Sequence, residues 1–187
     1  MSPTAVVILA AGAGSRFDGA RHKLLAELDG RPLIAHAVAA ALDAAVGPVL
    51  VVWGAVDLGP ALDGFGVDLV RNERWAEGQA TSLQVGIAAA DRPGVEAVVV
   101  GLGAQPFVPG SAWQLVAATG GPVATASFGG RPRPPVRLER SVWPLLPTRG
   151  DEGARSLVAD RPDLVIRVEV SGEPADIDTL DDLQRWS

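Results

Sequence analysis

The sequence predicts a doubly wound α/β fold with a mostly parallel sheet, and three observations carry that expectation. Short runs rich in Val, Ile and Leu recur without polar alternation, as strands buried on both faces require. Alanine-rich stretches of helical length stand between them. Glycine and proline mark many of the joins. With 187 residues, 48% of them hydrophobic and 20% charged, the expectation is one globular domain over 1–187.

The first run, T-A-V-V-I-L (4–9), is a continuous apolar strand that opens into Ala10-Ala11-Gly12-Ala13-Gly14. Pro32 then suits the first turn of a helix over 33–45, because its missing N–H would be unpaired there anyway. Gly47-Pro48 closes that helix, and strands are expected at 49–53 and 68–70. A helix over 82–90, a strand over 97–102, a helix over 111–118 and a strand over 123–127 continue the alternation. The texture changes over 128–147. There G-G-R-P-R-P-P (129–135) is expected to form a loop or edge insertion, because proline cannot donate to a central ladder. A short helix (153–159), a strand (164–170) and a terminal helix (180–186) resume the pattern.

Composition removes several function classes. A formal charge of −6 and an isoelectric point near 4.9 argue against a nucleic-acid or anionic-membrane partner. A small phosphorylated ligand stays compatible, since a pocket can be basic on an acidic protein. The absence of cysteine excludes disulfides, thiolate metal sites and a cysteine nucleophile. No apolar run approaches about 18 residues, and no basic segment precedes the first strand, so a cytoplasmic protein is expected. His22 and His36 have no metal-ligand spacing, and His36 reads as structural within its alanine-rich helix.

The first candidate site is L-A-A-G-A-G-S-R-F (9–17), followed by His22-Lys23-Leu24-Leu25. Small residues after a buried strand let backbone N–H groups approach an anion, and a nearby helix start adds a positive dipole end. Arg16 and Lys23 supply positive charge beside that cradle, as a triphosphate needs. A plain strand-to-helix turn with solvated basic residues is the other reading. Two common phosphate motifs fail. No Gly-Lys pair exists for a P-loop, and the dinucleotide fingerprint would need a third glycine where Phe17 stands. The second strand ends Val52-Trp53-Gly54, with no acidic residue for a ribose diol, so a dinucleotide-dependent oxidoreductase is only a runner-up.

With its continuation, L-A-A-G-A-G-S-R-F…H-K-L-L-A-E-L-D-G-R-P-L resembles the nucleotidyltransferase signature L-A-A-G-x-G-x-R-M…K-x-L. Further segments resemble the molybdenum-cofactor nucleotidyltransferase-like branch, especially its molybdopterin cytidylyltransferase type. N-E-R-W-A-E-G-Q-A-T-S-L (72–83) is similar to N-x-x-W-x-x-G-x-x-x-S-L, and G-L-G-A-Q-P (101–106) stands where that branch carries L-x-D-Q-P. G-D-E-G-A-R (150–155) and D-I-D-T (176–179) are similar to its G-D-x-G-A-R and D-I-D-T. Each motif alone is weak; their common order along nearly the whole chain is specific.

The resemblance implies a Rossmann-like sheet of the nucleotide-diphospho-sugar transferase type with a small edge insertion. It implies transfer of a nucleotidyl group from an NTP to a phosphorylated small-molecule acceptor such as molybdopterin, with pyrophosphate leaving and Mg²⁺ required. Leu9, Ala10, Ala11, Gly12, Ala13, Gly14 and Ser15 would hold the nucleotide, and Arg16 and Lys23 would neutralise its phosphates as the catalytic cations. Asn72, Gly78 and Ser82 would line the base, ribose or acceptor side. Turn chemistry is the alternative for Asn72 and Gly78, and a helix N-cap for Ser82. Ala11, where guanylyl-transferring relatives usually carry glycine, leans toward CTP. The product of such a reaction would pass to a partner enzyme.

One position breaks the pattern. The family's Asp in D-Q-P, a metal ligand at the end of a central strand, is Ala104 here. The metal would then rest on Asp178, Asp176, water and the phosphates. Two carboxylates two apart on an extended segment point the same way, although a D-x-D ahead of a helix also serves as a cap. An inactivating change, a paralogue with altered activity, and compensation by a nearby carboxylate all fit. A second departure is Arg133-Pro134-Pro135 where the family often has Gly-His-Pro, which bears on the acceptor rather than the nucleotide. A nucleotide-binding protein without transferase activity is therefore the alternative from another class. Asp151 and Arg155, four apart, are expected to form a helix-surface pair.

Overall fold

The computed structural model describes residues 3–186. Among the described residues nine strands and five α-helices follow one another: β1 (Thr4–Ala10), β2 (Glu27–Leu28), β3 (Arg31–Pro32), α1 (Leu33–Asp43), β4 (Val49–Trp53), β5 (Asp68–Arg71) and α2 (Gln79–Ala90). They continue with β6 (Ala97–Leu102), α3 (Gly110–Ala118), β7 (Val123–Phe128), β8 (Arg131–Glu139), α4 (Ala154–Asp160), β9 (Val165–Glu169) and α5 (Leu180–Trp186). Seven strands form one sheet in the order β5-β4-β1-β6-β8-β7-β9, and β2 and β3 form a separate small ribbon. All neighbours in the main sheet run parallel except at β8, which is antiparallel to both β6 and β7.

Strand β1 is central because all seven of its residues are buried, leaving no polar face to turn to water. Its pleat divides the interior into two layers. Val6, Ile8 and Ala10 pack with α1 and α3, while Ala5, Val7 and Leu9 pack with Leu83 and Ile87 of α2 and with Leu157 of α4. Helix α2 lies against the strands at Gly86, where an added Cβ would stand 2.5 Å from Val7 Cγ1. His36 is structural, its Nε2 bonding the Leu28 carbonyl oxygen at 2.8 Å and tying α1 to the small ribbon.

The proline-rich segment corrects the expectation of a loop or edge insertion. Residues 131–135 open β8, which lies inside the sheet. The rule about proline holds locally all the same. Strand β6 pairs only with Val136–Glu139 of β8, through Val100↔Val136 to Ala97↔Glu139. The prolines lie beyond that ladder: Pro132 pairs with Ser127 of β7 alone, and Pro134 and Pro135 fall in the register shift between Thr125 and Ala126, where no β7 residue is their partner. One helix start and one side-chain pair also differ from expectation. Helix α2 begins at Gln79, three residues before Ser82, so Ser82 is not its cap. Arg155 bonds Glu152 at 3.4 Å rather than Asp151.

Candidate functional site

The parallel strands β1, β4, β6, β7 and β9 end on the same edge of the sheet, and the segments that leave them form the candidate site. An α/β sheet places ligands there because the connecting loops diverge to opposite faces and leave a crevice. From Ala10 the chain enters a loop in which Gly12, Ala13, Ser15 and Arg16 are exposed while Phe17 is buried as an anchor. Gly14 takes φ +64°, and a Cβ there would stand 3.1 Å from Lys23 Cγ, so glycine lets the loop lie against the Lys23 stem. The amides of Gly12, Ala13, Gly14 and Ser15 donate to no other backbone group among the described residues. Such a run of unsatisfied N–H groups is what an oxyanion would meet.

His22, to which the sequence alone assigns no role, braces this loop. His22 accepts the Leu24 amide at Nδ1 (3.2 Å), which leaves Nε2 to donate to the Gly12 carbonyl at 2.9 Å. Burial pushes its pKa below the ordinary histidine value, and neighbouring Lys23 lowers it further; hydrogen bonding to Gly12 and Ala13 opposes both. A neutral imidazole is thus a strut rather than a charge. The only hint in the sequence was its place beside Lys23.

Lys23 and Arg16 converge on one carboxylate. Lys23 Nζ lies 2.6 Å from Asp178 Oδ1 and Arg16 Nη2 lies 2.8 Å from Asp178 Oδ2. Their exposures separate the two cations: the Lys23 side chain is 15% exposed and the Arg16 side chain 74%. Lys23 is therefore fixed, whereas Arg16 reaches in from solvent.

Asp178 and Asp176 are brought beside Ala104 by a backbone bond from Ile177 N to the Ala104 carbonyl at 2.9 Å. Neither aspartate caps α5. That role belongs to Thr179 and Asp182: Asp182 Oδ2 accepts from Thr179 N (2.9 Å), and the Asp182 amide lies 3.1 Å from Thr179 Oγ1. The Asp176 carboxyl sits above the ordinary range, first because burial removes water from it and second because Asp178 stands nearby. Lys23, Gln105 and Arg133 pull it down without prevailing.

Among the described residues no group of three or more His, Cys, Asp or Glu could hold a metal ion. Two carboxylates remain, and Mg²⁺ is bound in that way when substrate phosphates and waters complete its octahedron. The donor set fits a divalent ion held jointly with a triphosphate, not one held by protein alone.

Asn72, Gly78 and Ser82 form a separate cluster on the β5 side. The buried Asn72 donates through Nδ2 to Thr81 Oγ1 (3.0 Å) and Ser82 Oγ (2.9 Å), and its Oδ1 accepts the Arg74 amide at 2.9 Å. Gly78 takes φ +110°, and a Cβ there would meet the Gly150 carbonyl oxygen at 2.5 Å. Only glycine combines that backbone with that approach. The polar atoms of Asn72 are thus engaged within the protein, and the cluster stands beside the loop through Asn72 N to Trp53 O (2.8 Å) and Ala55 N to Ala11 O (3.0 Å).

A mostly parallel sheet with flanking helices, a glycine loop leaving its central strand and charged side chains gathered at the strand ends defines an α/β protein of nucleotidyltransferase fold. Comparison with known proteins narrows the class. Residues 6–165 match the family model of the MobA-like NTP transferase domain, and the chain belongs to that family. It is similar to a Mycobacterium tuberculosis H37Rv protein, Rv0371c (26% identical, TM-score 0.87, covering 99% of this chain and 97% of that one), which has also been solved in complex with manganese. A nucleotidyl transferase from Methanothermobacter is 25% identical over 99% of this chain and 96% of its own, with a TM-score of 0.85. The bifunctional protein GlmU of Acidiphilium cryptum is 33% identical over 140 residues, which is 74% of this chain but 31% of that protein. The chain thus spans about a third of the length of that curated relative. The family assignment leaves the dinucleotide alternative without support. No helix among the described residues is long and apolar enough to cross a membrane.

Proposed function

We propose that this nucleotidyltransferase moves an NMP, CMP by preference, from an NTP to a phosphorylated small molecule, with release of pyrophosphate. The observation that carries the reading is the meeting of Lys23, Arg16 and Asp178 beside the exposed amides of the glycine loop. Asp178 pairs with both cations at once, so one positive charge stays uncompensated within the trio. A triphosphate laid over residues 10–15 would take them over, because its charge and oxygen count exceed those of one carboxylate. Molybdopterin is the acceptor to which the order of motifs points. Ala11, buried where the loop begins, is what favours CTP over GTP.

An acceptor phosphate oxygen would attack the α-phosphorus in line. The new P–O bond forms as the bond to the α–β bridging oxygen breaks, and that oxygen carries the electron pair away on pyrophosphate. A phosphate acceptor that is already ionised has no proton to lose, so no general base is needed. Catalysis then rests on positioning and charge neutralisation. Lys23, held by its burial, would fix the phosphates; Arg16, exposed, would close over them. Asp176 and Asp178 would hold a Mg²⁺ ion together with those phosphates, and the ion would supply countercharge for the leaving group.

Calorimetry with the four NTPs in Mg²⁺, paired with pyrophosphate release, tests the reading. One triphosphate, CTP, should bind best. Lys23→Ala and Arg16→Ala should each weaken it by roughly 1.5–3 kcal/mol, the loss of a charge-assisted phosphate contact. Absence of binding by all four, or unchanged binding in both variants, refutes it. A second reading, nucleotide binding without transfer, is favoured by Ala104 alone; it predicts CTP binding with no release of pyrophosphate from CTP whichever acceptor is supplied.

A further inference from the structure

A cavity of about 380 Å³ lies at the edge of the sheet opposite the glycine loop. Thr4, the first residue of β1, is one of its walls, so the cavity stands about 20 Å from the loop that leaves the far end of that strand. The other walls are the end of α1, the end of α3 and Arg137 of β8. Gln114 Nε2 of α3 donates to the Ala44 carbonyl oxygen at 3.1 Å and ties the two helix ends together. No carboxylate lines the cavity among the described residues.

Arg137 is out of place on local pattern. It stands between the buried Val136 and Leu138, which pack into the α2 layer, so its side chain leaves β8 on the other face, toward α1 and α3. Its cross-strand neighbours there are Val99 and Ala124, both apolar. The residue is only 5% exposed. Arg140, which follows β8, has Asp91 at 2.6 Å, whereas Arg137 has no carboxylate partner among the described residues. Its Nη1 donates to the Gly121 carbonyl oxygen at 2.7 Å, and its Nε is buried with no hydrogen-bond partner. A buried cation left in that state is costly, and an apolar side chain would avoid the cost. The C-terminal ends of α1 and α3, which carry partial negative charge, offset the guanidinium charge but leave its Nε–Nη2 edge unmet. A local rule broken without a partner inside the protein is expected where a ligand supplies the partner.

We infer that this cavity is a ligand site separate from the nucleotide crevice, in which Arg137 binds the carboxylate of a small aliphatic monocarboxylic acid. The open edge of a guanidinium matches the two oxygens of a carboxylate. Ala44, Val46 and Ala117 offer an apolar wall for a short hydrocarbon chain. The partial negative charge of the helix ends works against a dianion, which separates this site from one for phosphate. The volume is at the small end of the range for ligand pockets and suits a compact molecule. The inference does not depend on the nucleotidyl-transfer reading.

The test uses the whole protein without nucleotide, butyrate as the probe, and butyramide and inorganic phosphate as comparisons. The Arg137 Nε–H resonance is followed by NMR during each titration. Butyrate should shift it saturably, and butyramide and phosphate should each bind there at least roughly tenfold more weakly. Arg137→Met should lose butyrate binding at this cavity. Ala118→Phe, which fills the cavity from an exposed position on its rim and leaves Arg137 in place, should weaken butyrate by at least about tenfold, and it decides the matter if Arg137→Met does not fold. No saturable shift of the Arg137 signal by butyrate overturns the inference. So does an equal response to phosphate or butyramide, or unchanged butyrate affinity in Ala118→Phe.

Discussion

At the scale of single residues, the identity of a side chain says less than the groups it faces. Asp176 and Asp178 stand two apart, yet one is paired to two cations and the other is not. Burial and the Asp178 charge raise the Asp176 carboxyl above its unfolded value, so the folded protein holds that proton more tightly. Stability from this group is therefore present at low pH and lost as pH rises through the window between the unfolded value and the raised folded one. Asp176→Asn, which keeps the shape and removes the charge, should raise the melting temperature of the metal-free protein at pH 7. The gap should close below about pH 4, where both forms are neutral. Thermal denaturation across pH 3–8 measures it; a variant less stable than the parent at pH 7 contradicts the assignment.

At the scale of elements, close approach decides more than propensity. Helix α2 carries Gly86 in its interior, where alanine would be better by about 1 kcal/mol on propensity alone. The sheet forbids it: a Cβ at that position stands 2.5 Å from Val7 Cγ1 and 3.1 Å from Val52 Cγ2. Overpacking of that kind costs about 1–3 kcal/mol, enough to offset the gain. Gly86→Ala should therefore be destabilising by up to about 2 kcal/mol in urea denaturation, with the slope unchanged. A more stable variant would show that the helix can lift from the sheet at no cost. Strand β8 gives the same lesson in another form. Its prolines are compatible with an interior strand because the neighbouring ladder stops at Val136.

At the scale of the whole molecule, position 104 acquires its meaning from residues more than seventy places away. The Ile177–Ala104 backbone bond sets the alanine beside both aspartates, so a carboxylate there would join them. Two ligands fit an ion only in company with phosphates; three would bind it more tightly. Ala104→Asp should strengthen Mg²⁺ binding and raise pyrophosphate release at least tenfold, or about 1.4 kcal/mol of barrier. Calorimetry with Mg²⁺ and a turnover assay on the two proteins side by side provide the measurement. Equal, substantial rates would mean that the ion, or its substitute, is already fully held.

The buried strands, the glycine loop and the family motifs were legible in the sequence because each is a local pattern. Apolar runs without alternation report burial on both faces, and small residues after a strand report close backbone approach. Helix α1 and strands β4 and β6 lie where those patterns put them. What the sequence could not decide was pairing. That Lys23 and Arg16 share Asp178 across a separation of 155 residues in the Lys23 case, that His22 props Gly12, and that Arg137 lines a cavity between the ends of α1 and α3 all depend on which strands lie side by side. The place of β8 in the sheet is of the same kind. Proline excludes a strand only where a neighbour needs its N–H, and the neighbour is chosen by the tertiary fold.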